Sequence, residues 1–132
     1  MNAPSVDIKD ILEAESSLGL TFATNLFVAR EPATPDECVT IFDTPGFPTQ
    51  LTLGGEGDDY LYPAVQIRVR SNSYTDGWDL IQDITTALHG LSHETWNTTL
   101  YSVIMCSSGP ALLDWDANNR PRFIVNFNIQ RR

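Results

Sequence analysis

His89 and His93 stand four apart, a spacing that could put two imidazoles on one helical face around a metal. Gly90 falls between them and is a natural helix end, so the two rings leave that common face. Neither cysteine lies nearby to complete a zinc set. Asp114, Asp116 and Asn118 alternate like the opening of a calcium loop. The sixth-position glycine and the closing glutamate are missing, however, and Pro121 interrupts. Turn chemistry explains these residues better, because Asp and Asn bond their own backbone locally. Gly54-Gly55-Glu56-Gly57 lacks the Lys-Ser or Lys-Thr of a phosphate loop, and its carboxylate would repel phosphate. No Gly-x-Ser-x-Gly elbow occurs. Trp78, Trp96 and Trp115 read as core or interface anchors. The sequence therefore assigns no catalytic residue, no metal ligand and no cofactor.

Composition narrows the class further. A chain of 132 residues suits one domain and buries enough surface to fold without disulfide staples. Cys38 and Cys106 sit in apolar runs and read as free buried thiols in a reducing compartment. The polar, acidic N-terminus and the lack of a long apolar run predict neither a signal peptide nor a membrane span. The sequon Asn97-Thr98-Thr99 then carries little weight. A net charge of −9 argues against surfaces that neutralise phosphates and against anionic membranes.

The elements that would position any site centre on Tyr62–Leu91. Val65, Ile67 and Val69 alternate with Gln66, Arg68 and Arg70, which predicts a strand with one apolar and one polar face. Ser73 is placed to cap a helix whose apolar stripe runs Tyr74, Trp78, Ile81, Ile84, Leu88, Leu91. Gly90 ends it, and Gly77 weakens it while permitting close packing on a sheet. An earlier helix is expected from Val6 to Leu18, capped by Ser5 and closed by Gly19. Asn25–Glu31 and Glu37–Asp43 read as a paired meander of strands. Thr44–Leu61, rich in Gly and Pro with an acidic tip, reads as a long arm, with a brief hairpin at Thr49–Leu53. Ser92–Asn97 reads as a connector. Thr98–Cys106, Ala111–Asp116 and Arg122–Gln130 read as an antiparallel meander, with Ser107–Pro110 and Ala117–Pro121 as turns. The expected fold class is α+β: mainly antiparallel sheet, two helices packed on it, and a long loop or hairpin arm.

This layout resembles the tail-terminator and minor-capsid proteins of long-tailed bacteriophages. The resemblance is carried by Tyr62–Arg70, by Asp83–Gly90, and by the order of elements over nearly the whole chain. It implies a structural protein without catalytic residues. It also implies a six-fold ring on the head-proximal end of the tail tube, which stops tube growth and presents the surface that joins the head. The implied partners are other copies of the chain, the tail tube protein and the head connector or neck protein. The implied location is the virion tail, after assembly in the host cytoplasm. DNA would pass through without specific binding.

Residue chemistry is compatible with such a ring. Open sheets have edges that a neighbour can satisfy, and a closed ring uses one heterologous contact. Arg68, Arg70, Gln50, Leu51 and Leu53 are the expected contacts with subunits or tube. Glu56, Asp58, Asp59, Asp76, Asp79 and Asp83 are candidates for an acidic lumen, repelling DNA over about 8 Å at physiological salt. Two other readings stay open: a head-completion or neck protein of the same assembly, or a small-molecule-binding or enzymatic α+β domain.

Overall fold

The computed structural model describes residues 1–49 and 60–132. Helix α1 spans Pro4–Ala14 and is followed by a 3-10 turn at Ser16–Leu18. Strands β1 (Leu26–Val28), β2 (Cys38–Phe47) and β3 (Tyr62–Arg70) precede helix α2 (Tyr74–Leu88). Strands β4 (Ser92–Trp96), β5 (Thr99–Trp115) and β6 (Pro121–Arg131) complete the chain. Among the described residues, one sheet of six strands runs in the order β1-β2-β3-β6-β5-β4. The α+β class holds, with sheet predominating.

Period two builds the centre of this sheet. Val65 lies opposite Phe127, Ile67 opposite Val125 and Val69 opposite Phe123, in antiparallel register. All six are fully buried. Val39 and Ile41 continue the same face on β2, and Ile8, Leu12, Ile81, Ile84 and Leu88 cover it from both helices. Each such side chain contributes about 1.5–3 kcal/mol by leaving water. Ser73 caps α2 as expected, its hydroxyl accepting from Asp76 N–H at 3.4 Å. Gly90 takes φ 85 and turns the chain out of the helix. Gly77 lies against the Phe123 ring, where an added Cβ would come within 2.5 Å of a ring carbon. Tyr74, expected in the buried stripe, is 48% exposed and sits edge-on to Phe123 and stacked on Trp115.

Several expectations are corrected. The first helix stops at Ala14, because Glu15 is extended and the chain re-coils as the 3-10 turn. Ser5 does not cap it. Pro4 occupies the first turn, and Ser5 gives its N–H and hydroxyl to Asp43 at 2.9 and 2.7 Å. A carboxylate on β2 thus satisfies a helix N-terminus reached across the fold.

Strands β1 and β2 pair in parallel, not as a meander. Ala29, at φ 69, turns the chain out of the sheet, and the loop through Pro32 and Pro35 brings it back in the same direction. Thr44–Phe47 belongs to β2 rather than to an arm, with a register shift between Thr44 and Phe47. Gly46 permits it, since a Cβ there would lie 2.0 Å from the Tyr62 carbonyl oxygen. Leu61 bridges Arg131 at the other end of the expected arm. The hairpin expected at Thr49–Leu53 falls outside the described residues from Gln50 onward.

The expected connector Ser92–Asn97 is largely strand β4, joined to β5 by a tight hairpin. Asn97 and Thr98 take φ 50 and 66, the paired left-handed conformation of such a turn. Ser107–Pro110 does not break the next strand. Register shifts on both sides of Ser108 absorb the extra residues, and β5 runs on to Trp115.

Candidate functional site

The residues with the most chemical potential are engaged in the fold itself. His89 accepts at Nδ1 from the Cys106 N–H at 2.9 Å, a local plug on the outer side of β5. His93 lies beyond Gly90, exposed and at φ 54. Asp116 accepts from the backbone N–H of Asn118 and Arg120, both at 2.9 Å, which is turn chemistry. Asp114 pairs with Arg122, accepting from Nε at 2.6 Å. Among the described residues, no three His, Cys, Asp or Glu side chains converge on a point that could hold a metal. No described helix is long and apolar enough to cross a membrane. Cys38 is buried and Cys106 half-buried, both free. Burial pushes the Cys38 thiol up. A cleft beside the end of β2 is lined by Asp43, Gly46, Phe47, Tyr62, Pro63 and Arg131.

What the fold presents is surface. Both helices pack on one face of the sheet, so among the described residues the other face has no helix on it. At one end of this face the loop from Ala29 to Glu37 folds over. Glu31 holds Arg70 at 3.0 Å and Arg122 at 3.2 Å, and Arg70 also donates to the carbonyls of Pro35 and Asp36. Arg120 ties Asp36 and Asp116 together at 2.9 and 2.7 Å. The Asp114 hydrogen bond raises the Arg122 pKa against burial, with Glu31 adding to it; at Arg120 burial pulls the pKa down, and the bonds to Asp116 and Asp36 outweigh it.

Beyond that loop the face lies open. Phe42, Gln66, Arg68, Ile124 and Asn126 occupy its centre by register, half-buried. The Arg68 guanidinium lies 4.8 Å over the Phe42 ring and donates from Nε to Gln66 at 2.8 Å. Gln66 in turn donates to Asn126 at 3.2 Å. The two arginines singled out by sequence therefore part company: Arg70 is turned to the fold's own loop, whereas Arg68 makes no ion pair among the described residues.

On the opposite side of the molecule, Asp76, Asp79 and Asp83 are exposed on α2. Their three- and four-residue steps place them in one stripe, away from buried Ile81, Ile84 and Leu88. Gln50, Leu51, Leu53, Glu56, Asp58 and Asp59 lie outside the described residues.

The sheet margins are also uneven. Strand β4 pairs with β5 only as far as Ser92 opposite Val103, so most of β5 continues beyond it. Met105, Leu112, Leu113 and Trp115 on that stretch are exposed. Sequence reasoning missed this margin because it split β5 at Ser107–Pro110. The run of apolar residues from Ala111 to Trp115 was the signal that could have found it.

A search of curated proteins finds no match to this chain. Among solved structures, a chain of the virion of a native gene transfer agent particle superposes with a TM-score of 0.67 at 12% identity. The match covers 98% of this chain and 94% of that one, and at such identity it is a likeness of fold. A family model described as bacteriophage tail terminator protein matches residues 6–132. By that match over nearly its whole length, the chain belongs to the bacteriophage tail terminator family, whose role is structural, in completing the tail.

Proposed function

We propose that copies of this chain assemble as a closed ring, six-fold in the simplest case, that caps the tail tube at its head-proximal end. The ring stops tube growth and offers the surface on which the head connector or neck protein docks. Its place is in the virion, reached after assembly in the host cytoplasm, and it carries no catalytic centre. The observation that supports this most is the family match over residues 6–132. The helix-free sheet face and the stretch of β5 that runs on past β4 are the physical counterpart, since such surfaces invite a neighbouring chain. Gln50, Leu51, Leu53 and Arg68 remain the proposed contacts with subunits or tube. Arg70 contributes indirectly, by fixing the loop beside them. The chain's net charge of −9 keeps the passing DNA from adhering.

The test is to add the protein to polymerising tail tube protein and measure tube length by negative-stain microscopy. Capped tubes of shortened length, with a ring at one end, are expected. Tubes of unchanged length and bare ends would overturn the capping role.

A further inference from the structure

The open sheet face and the outer side of α2 lie on opposite sides of the same two layers, and their chemistries are complementary. The chain has 17 acidic and 8 basic residues, yet the open face is poor in acid. Its half-buried register positions carry Phe42, Gln66, Arg68, Ile124 and Asn126 across β2, β3 and β6, while Thr40 beside Arg68 is fully buried. Asp114, at its β5 margin, is occupied by Arg122. Arg68 stands in the middle, laid on Phe42 and anchored through Nε; it makes no ion pair among the described residues, and its charge is felt at Asp114 on the margin. An arginine held flat in this way has already lost much of its side-chain freedom, which lowers the cost of binding a carboxylate. The outer side of α2 is the reverse: Asp76, Asp79 and Asp83 in a row, exposed.

We infer that the open sheet face of one copy, centred on Arg68, receives the acidic stripe of α2 from the next copy. Two different surfaces of one molecule form a heterologous contact that repeats from copy to copy, and a ring results when the rotation between copies closes. Copies at −9 repel one another, so they associate best where a cationic face meets an acidic one. Half-buried Phe42 and Ile124 and exposed Met105 supply the apolar ground around the charge. This contact rests on the ring reading and goes further. It assigns Asp76, Asp79 and Asp83 to the seam between subunits rather than to a DNA channel.

A charge swap tests it. Wild type, Arg68→Glu, Asp79→Arg and the double variant are compared by sedimentation velocity over a concentration series, alone and with tube ends, with circular dichroism as the check on folding. Each single change is expected to raise the dissociation constant between copies about tenfold or more. The double variant, which restores opposite charges in reversed order, is expected to recover most of that loss. Raised salt should weaken the wild-type contact. If Arg68→Glu perturbs the fold, Asp79→Arg on the exposed helix and Arg68→Gln carry the comparison. Association that survives both single changes would overturn the contact and leave the ring reading standing. Folded single variants that weaken association without rescue by the double would also overturn the pairing. A wild-type chain that never associates, alone or on tube ends, would overturn both.

Discussion

Two polar networks hold the two ends of this sheet, and they are built on different terms. At one end Asp7 is fully buried. It accepts from Asn97 at 2.7 Å, from Asn2 at 3.1 Å and from the Tyr101 hydroxyl, and the Arg131 guanidinium stands 3.7 Å away. Arg131 also donates to Tyr101 and to the Asn2 carbonyl. Burial and the Asp7 carboxylate push the Tyr101 hydroxyl well up. This knot joins the first helix, the β4–β5 hairpin and the last strand. At the other end, Arg70, Glu31, Arg122 and Asp114 form one run of ion pairs and Arg120 with Asp36 and Asp116 a second, joined where Arg70 donates to the Asp36 carbonyl; together they shade from buried to open, Asp36 being 57% exposed. The first network has a buried centre of Asp7, Tyr101 and Arg131, so these three depend on one another. The second is graded by solvent, so the value of each pair falls toward its exposed end.

That difference gives three expected effects of decreasing size. The largest is at Asp7. Asp7→Ala leaves Arg131 and the Tyr101 hydroxyl buried without their carboxylate, a loss of about 3–5 kcal/mol by analogy with other broken buried pairs. Urea unfolding at neutral pH measures it. A loss below about 1 kcal/mol would mean that water enters this end freely and that the two networks are alike.

Glu31→Gln should fall between the extremes. Arg70 is 4% exposed at its side chain but keeps the Pro35 and Asp36 carbonyls, at 2.6 and 3.1 Å, when the charge on Glu31 is removed. About 1–3 kcal/mol is expected, read from the same unfolding midpoint. Because Glu31 also meets Arg122, an Arg122→Gln change in the same background should cost less than it does alone.

Both networks were invisible in the sequence, and for one reason. Asp7 and Arg131, or Glu31 and Arg122, are brought together only by the finished sheet, and no local spacing records such a pairing. What was legible is periodic. The alternation in Tyr62–Arg70 and Arg122–Gln130, and the Ser73-to-Gly90 helix with its apolar stripe, can be read because each element repeats its burial pattern many times. Misreadings cluster where one residue overrides its type. Thr98 is β-branched, yet sits left-handed in a turn that Asn-Gly would have announced. Its neighbour Asn97 is held there by Asp7 and Asp10, contacts from a distant helix. Pro45-Gly46 and Gly109-Pro110 look like breaks, but bulged strands absorb them. Arg68 and Arg70 share a face by period, and only the Ala29–Glu37 loop decides that one is covered and the other is open.

The smallest effect is at the exposed end, and it is separable by pH. The Arg122 hydrogen bond holds the Asp114 carboxyl below the usual range, although Asp114 keeps 43% of its side chain exposed. Burial opposes the same trend at Asp116, yet bonds from Arg120 and Asn118 bring that carboxyl down too. A carboxylate lowered by folding stabilises the native state above its unfolded pKa, about 3.9. That contribution disappears as pH falls through the lower folded value. Asp114→Asn should therefore cost only about 0.5 kcal/mol at neutral pH, after solvent screening. The gap between variant and wild type should narrow below about pH 4 and close once Asp114 is protonated in both states. Urea midpoints taken in steps from neutral to acidic pH would show it. A gap that stays constant with pH would mean that Asp114 acts through its shape and hydrogen bonds, not its charge, and would remove the electrostatic gradient that sets this end of the sheet apart from the Asp7 knot.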